Sequence, residues 1–594
     1  MPSPKLRFHF RPLPLAIASA ILLLARPVAT AAPTAVFDES PVRLSKLDNG
    51  NWLADFGKVS FANLEVDPAG HTPQSTVFHF GEASKNGRVD RKPPGSVRYA
   101  RVEASLQTDH PVRIAPPTDP RNTKQPAAIL TPPEFGVILP FRWVEIENWN
   151  GELKPDQLTR KSVWLASWDD HAAEFESSNQ TLNDIWELCR YSIKATTFAG
   201  VYVDGDRERI PYEADAYINQ LCHYATDTDL QTSRDTFDRL MDHPTWPSEW
   251  APHMVFIAHA DWMHTGNADW LKPRYQRLKS KLLAERVGDH GLVQSNQKQR
   301  RWNDIVDWPR GERDGFVHTR LNTVVNAFHL AALEKMADLA LAVGKPAEAR
   351  QYRSDRQTRL AEFNRRFFIK SKSAYRDGEG TDHTSLHASL FPLAFGLVPD
   401  GHAPDVADFV AGRGMRCSVY AAQYQMEGLF RTDRDRQAVD LILAQGDRSW
   451  KHMLDSGTTI TWEAWDQKYK SNQDWNHAWG AAPANLLPRF ILGAEPVTPG
   501  WKKIRIQPRT SGLDHARGTI PTPLGPVKIQ WRKSAGSLDL TFELPDGMEA
   551  ELVLPQTTPE SSAWLNQRQA AASRANSWLT LTQPLRGSQR VIVR

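Results

Sequence analysis

The run Val324-Val-Asn-Ala-Phe-His-Leu-Ala-Ala-Leu-Glu-Lys-Met-Ala-Asp-Leu-Ala-Leu-Ala-Val343, followed by Gly344, sets the fold class. Phe328, Ala332, Met336 and Leu339 recur every three or four residues, so they share one helical face, and Gly344 is a C-cap. The same periodicity appears earlier in Leu182-Asn-Asp-Ile-Trp-Glu-Leu-Cys189, where Ile185, Leu188 and Cys189 fall on one side. Ser177, Ser178, Asn179 and Thr181 are its candidate N-caps. Helical stretches continue from residue 175 to residue 494 with few β-branched alternations. At about a dozen residues per helix plus connections, that length holds about twelve helices. Six hairpins closed into an (α/α)6 toroid would use them all, although periodicity alone does not establish closure.

On both sides the period changes to two. Residues 36–165 contain short alternating runs such as Val77-Phe-His-Phe80 and Phe141-Arg-Trp-Val-Glu-Ile146, split by Gly, Pro and Asn turns. Residues 497–594 contain Lys503-Ile-Arg-Ile506, Val527-Lys-Ile-Gln-Trp531, Leu538-Asp-Leu-Thr-Phe-Glu-Leu544 and Glu551-Leu-Val-Leu554. The expected architecture is multidomain: a central all-α (α/α)6 toroid flanked by N-terminal and C-terminal β-sandwich domains.

Composition narrows the function. A net charge of +3 on 594 residues, with Lys and Arg scattered among the acids, gives no basic stripe for nucleic acid. The 21 Trp raise the expectation of carbohydrate binding, because apolar sugar faces stack on aromatic rings; Trp is also ordinary core material. Residues 1–31 read as a signal peptide. Lys5, Arg7 and Arg11 are basic, Leu13 to Ala25 is apolar but short for a span, and Ala29-Thr30-Ala31 offers a cleavage site. An exported protein, periplasmic or secreted, with no membrane span in its mature form is expected. Cys189, Cys222 and Cys417 lie far apart and read as buried free thiols, and no metal or other cofactor is expected.

Two segments concentrate acids. The first runs from Asp204 to Asp215 and holds five acids and two arginines in twelve residues. Pro211 can open a helix, which places Glu213 and Asp215 near its positive end. A solvated, salt-bridged turn is the plain alternative. The second is Thr458-Thr-Ile-Thr-Trp-Glu-Ala-Trp-Asp466, with Trp475-Asn-His-Ala-Trp479 after it. Glu463 there lies between Trp462 and Trp465, where an unpaired carboxylate would be costly. His477 could orient a sugar hydroxyl or be a satisfied core histidine. Asp304, Asp307 and Trp308 suit a sugar subsite, and Trp250 is a further candidate. No Gly-x-Ser-x-Gly elbow, phosphate loop, dinucleotide fingerprint or His-Glu-x-x-His is present.

At these residues the chain resembles the α-L-rhamnosidases of the six-hairpin glycosidase type. Phe141-Arg-Trp-Val-Glu-Ile-Glu-Asn-Trp149 resembles the close of that family's β-domain, and Phe175 to Trp186 the beginning of its toroid. Thr459 to Asp466, Asn476-His477 and Pro499-Gly-Trp-Lys-Lys-Ile504 are similar to its closing motif and C-terminal sandwich. The acid loop departs from the family pattern. It is two residues shorter near its start, Tyr212 replaces a Trp, Pro211 and Ala214 replace two Gly, and Glu213 is an extra acid. The resemblance implies that Glu208 is the general acid and Glu463 the general base, with Asp204 and Asp215 holding sugar hydroxyls. Arg209, Tyr212, Glu213, Trp250, Asp304, Trp308, Trp462, Trp465 and His477 are the other candidate substrate contacts, and Glu213 rivals Glu208 as the acid. The implied reaction is inverting hydrolysis of a terminal α-L-rhamnosyl glycan or glycoside. Two readings stay open beside it: a lyase cleaving a rhamnosyl–uronate bond with Tyr212 or a His as base, and a non-catalytic glycan-binding protein.

Overall fold

The computed structural model describes residues 33–68, 74–106 and 110–594. The signal peptide expected at residues 1–31 lies outside them. The period-two runs are strands: Gln74–Gly81 and Leu139–Glu147 contain the two N-terminal ones, and Lys503–Ile506, Val527–Ser534, Ser537–Glu543 and Glu549–Pro555 the C-terminal ones.

Eight of the N-terminal strands are hydrogen-bonded into one antiparallel network. Its organiser is the long strand Trp52–Val66, whose pairing with Leu139–Glu147 shifts register between Asp55 and Ser60. A bulge bends a strand, and side chains from both halves, among them Ala54, Phe56, Leu64 and Val66, meet in one core with Phe78, Phe141 and Ile146. The C-terminal strands form two sheets, of seven and five strands. Trp531, Leu540 and Val591 of the first share a core with Ile504, Leu552 and Leu579 of the second. The first strand of the seven, Glu174–Ser177, lies just before the toroid in sequence and pairs with His515–Ile520.

Among the described residues between 180 and 490, the sole strand pair is the antiparallel Phe368–Ile369 with Ala374–Tyr375. Its other regular elements are helices, joined by loops. Helix Gln180–Thr196 selects Asn179 as its N-cap, whose side chain accepts from Leu182 N at 3.0 Å. Helix Thr323–Ala342 is capped by Asn322 and stops at Gly344, which takes φ 78°. It is buried nearly all round because it stands in the inner ring. That ring runs Glu213–Thr226, His253–Thr265, Thr323–Ala342, Leu386–Ala394, Val419–Arg431 and Pro483–Leu486, each packed on the next, and the last packs back on the first. The toroid therefore closes. The three cysteines are free and buried.

Candidate active site

Residues 200–212 form a loop leading into helix Glu213–Thr226. The loop folds back on itself: Asp204 N donates to Ile210 O at 3.0 Å, and Ile210 N donates to Asp204 Oδ1 at 2.9 Å. Gly205 takes φ 111°, and a Cβ there would sit 2.8 Å from Asp474 Oδ2. Only glycine allows this approach. Opposite, residues 461 and 477 are cross-bonded: His477 N donates to Thr461 O and Thr461 Oγ1 donates to His477 O, both at 2.9 Å. That places Glu463 and His477 side by side, facing the acid loop.

The two segments enclose a cavity of about 220 Å³ at one end of the toroid, room for a single sugar ring. Asp204, Arg207, Glu208, Tyr212, Asp215, Glu463 and His477 supply its polar groups. Trp246, Trp250, Ile305, Trp308 and Trp479 supply its apolar wall. A larger open groove of about 990 Å³ crosses the C-terminal sheet. Its flanking charges are paired among themselves, Arg517 with Glu176, Arg190 with Glu187 and Lys528 with Glu543.

Arg207 organises the chemistry. Its Nη1 and Nη2 hold Glu463 Oε2 and Oε1 at 2.6 and 3.0 Å, and its Nε lies 3.2 Å from Glu208 Oε1. Lys470 Nζ adds a contact to Glu463 Oε1 at 3.0 Å. The Glu463 side chain is 3% exposed and that of Glu208 30%. Burial alone would raise the Glu463 carboxyl, but Arg207, His477 and Lys470 outweigh it and hold the group below its ordinary value. Asp204 behaves oppositely: burial and the neighbouring Glu208 hold its carboxyl well above the usual carboxylate range. Tyr212 OH donates to Glu208 Oε2 at 3.2 Å.

His477 Nε2 lies 2.7 Å from Asp215 Oδ1, and its Nδ1 3.5 Å from Asp474 Oδ1. Burial opposes charge on the ring, but the two carboxylates prevail and push its pKa up to about 10. The folded protein therefore binds this proton more tightly than the unfolded chain. The associated stability is fully present below about pH 6.5 and is lost as pH rises through about 10. Urea midpoints measured from pH 6.5 to 10 should fall for the native protein and stay flatter for His477→Gln. Equal slopes would show that no ion pair forms there. Glu463, Asp474 and His477 also bring ligand atoms within 4.8 Å of one another. Arg207 and Lys470 already occupy Glu463 and a proton occupies His477, so this donor set does not fit a cation.

Several sequence candidates lie outside the cavity lining. Arg209 adopts φ 55° and turns to the β-domain, bonding Asp206 Oδ1 and Ile138 O at 2.6 and 3.0 Å. Glu213 is buried on Thr245, accepting from its N at 2.9 Å and from its hydroxyl. Asp304 is held by Arg286 and Asn322 at 3.3 and 3.1 Å, and Asp307 by His387 at 2.6 Å. Trp462 stacks on Trp475 at 4.8 Å, and the Trp465 indole donates to Cys417 O at 2.7 Å. Conversely, sequence reading passed over Arg207, Trp246, Ile305 and Trp479 as lining residues. Arg207 had a signal, being set beside the acid. Trp246 had none, lying in an aperiodic turn.

Loops and a short helix of the N-terminal domain reach both segments. Arg98 Nε bonds Asp206 Oδ2, its Nη2 donates to Asp206 O at 2.9 Å, and Asn122 Nδ2 donates to the same carbonyl at 2.6 Å. Glu82 Oε2 accepts from Arg98 N at 2.7 Å while its Oε1 accepts from Asn476 Nδ2 at 2.8 Å. Asn476 Oδ1 in turn accepts from Asp206 N at 2.6 Å, tying the acid loop to the base segment.

The chain is similar to known proteins along most of its length. Residues 170–491 match the model of the bacterial alpha-L-rhamnosidase six-hairpin glycosidase domain, and residues 493–567 that of the bacterial alpha-L-rhamnosidase C-terminal domain. An alpha-L-rhamnosidase of Alteromonas sp. (strain LOR) is 23% identical over 460 residues, covering 70% of this chain and 48% of that protein. One from Formosa agariphila is 23% identical over 508 residues, covering 78% and 53%. The chain thus spans about half the length of these curated relatives. The alpha-L-rhamnosidase structure from Dictyoglumus thermophilum superposes with a TM-score of 0.75 at 16% identity, covering 95% of this chain and 64% of that one. That of Streptomyces avermitilis complexed with L-rhamnose gives 0.75 at 16%, covering 95% and 54%. With its six-membered inner ring and a family match over more than half its length, the chain belongs to the bacterial alpha-L-rhamnosidase six-hairpin glycosidase family.

Proposed function

We propose that this protein hydrolyses terminal α-L-rhamnosides with inversion of the anomeric centre. The observation that carries the reading is Arg207, which holds buried Glu463 ionised on one side and touches half-buried Glu208 on the other. One planar guanidinium and two hydrogen bonds separate the carboxylates. Inversion needs room for a water beside the sugar, and such pairs stand roughly 6.5–9.5 Å apart. Glu463 takes a proton from that water as its oxygen attacks the anomeric carbon. Glu208 gives a proton to the glycosidic oxygen as the C–O bond breaks. Asp204, whose carboxyl burial and Glu208 hold well above the usual carboxylate range, lines the same cavity. The rhamnose held by the Streptomyces avermitilis relative supports the choice of sugar.

The lyase reading needs a base that Tyr212 and His477 do not offer. Burial, with Asp204 and Glu208 nearby, holds the Tyr212 phenol protonated, and His477 keeps its proton between two aspartates. The test is proton NMR of an aryl α-L-rhamnoside during the first turnovers. β-L-rhamnose should appear first. Initial α-anomer would mean retention, and an unsaturated uronate released from a rhamnosyl–uronate glycan without water addition would mean a lyase.

A further inference from the structure

The segment from Lys298 to Arg313 carries charge that the sugar cavity does not use. Its acids are buried and committed: Asp304 to Arg286 at 3.3 Å, Asp307 to His387 at 2.6 Å, and Glu312 to Arg448 at 2.9 Å. Its cations Lys298, Arg300, Arg301 and Arg310 are exposed, and among the described residues none of the four forms an ion pair. Arg310 Nη2 reaches only a carbonyl, that of Arg301, at 3.4 Å. The surface of this stretch is therefore positive.

The same stretch exposes aromatic rings. Trp302 is 56% exposed and Trp246 48%, where the other tryptophans of the cavity wall are buried or half-buried. The Arg301 and Arg310 guanidiniums lie 5.2 and 5.9 Å from the Trp302 ring centre. This rim is continuous with the cavity. Asn303 Nδ2 donates to Trp246 O and Ser248 N donates to Asn303 O, both at 2.8 Å. Ile305 and Trp308, three and six residues beyond Trp302, line the cavity, and the Trp246 and Trp308 rings meet at 6.5 Å. An exposed ring is a platform for the apolar face of a sugar. Unpaired guanidiniums beside it match a carboxylate or sulfate on that sugar.

We infer that this rim is a subsite for the sugar on the leaving-group side of the scissile bond, and that this sugar is anionic. The inference rests on the hydrolase reading, and it names the substrate class: rhamnose capping an acidic glycan. Arg300, Arg301 and Arg310, from one short segment, set the preference, while the chemistry stays with Glu208 and Glu463.

The test compares kcat/KM for three disaccharides, with rhamnose linked to a uronate, to a sulfated sugar and to a neutral hexose. At low salt one of the anionic pair should exceed the neutral one by about tenfold, and the gap should close by about 0.5 M NaCl as screening sets in. The better anion identifies whether the group is carboxylate or sulfate. Arg300→Gln/Arg301→Gln/Arg310→Gln should erase the preference through KM and leave an aryl rhamnoside within twofold. Equal wild-type rates on all three, or an equal loss on all three in the triple variant, overturns the subsite. Failure of the wild type to cleave any rhamnoside sinks the hydrolase reading instead. In that case a uronate oligosaccharide lacking rhamnose still tests the rim. It should quench tryptophan fluorescence in the wild type and not in Trp302→Phe; quenching in neither, or equally in both, overturns the rim.

Discussion

Glu463→Gln should lower kcat on every α-L-rhamnoside by about 10³- to 10⁴-fold, the upper range for losing a positioned proton acceptor. The amide keeps the shape of the carboxylate but cannot take a proton from water. KM should change little, because the cavity wall is untouched. The same replacement turns an N–H toward Arg207 or Lys470, which now share an acceptor without charge. Removing one partner of a buried ion pair costs about 3–5 kcal/mol, so the variant's unfolding midpoint must be measured beside its kinetics. A folded variant that keeps a tenth of native kcat would remove Glu463 from the role of base.

Glu208→Gln should be nearly as severe on natural glycosides, about 10²- to 10⁴-fold in kcat. An activated aryl leaving group should restore most of the loss, since it departs without a proton. The structure separates this prediction from its rival. Glu213, the extra acid of the loop, is turned onto Thr245, and its carboxyl receives two bonds there. Glu213→Gln should therefore weaken folding and show no dependence on the leaving group. A leaving-group effect in Glu213→Gln, with none in Glu208→Gln, would exchange the two assignments.

How much of this was legible in the sequence follows from periodicity. Phe328, Ala332, Met336 and Leu339 announced their helix because a buried face recurs every three or four residues. The strands at 503–506 and 527–534 announced themselves by alternation. Closure was not legible, because the sixth inner element, Pro483–Leu486, is a single turn that opens on a proline and passes at once into the π-helical Leu487–Leu492. Within the site the acids were found by local density, but density does not give direction. Arg209 and Glu213 flank the same short run as Glu208, and the left-handed backbone at Arg209 together with the start of the helix decides which side chain faces the cavity. Likewise Trp462, Trp465 and Trp479 sit in a segment without regular period, so nothing in their spacing tells the lining ring from the two that pack behind it.

The bonds from Arg98, Asn122 and Glu82 to Asp206 and Asn476 have a consequence for how this lineage can be rearranged. The family match begins at residue 170, yet the groups that fix the acid loop begin at residue 82. Recombination at the boundary near residue 170 would transplant every side chain that lines the cavity into a new host while leaving its scaffolding behind. Such a chimaera keeps the geometry of the loop only if the incoming domain also offers an arginine to Asp206 and an acceptor to Asn476. An exchange that preserves the loop would therefore have to carry the N-terminal domain and the toroid together.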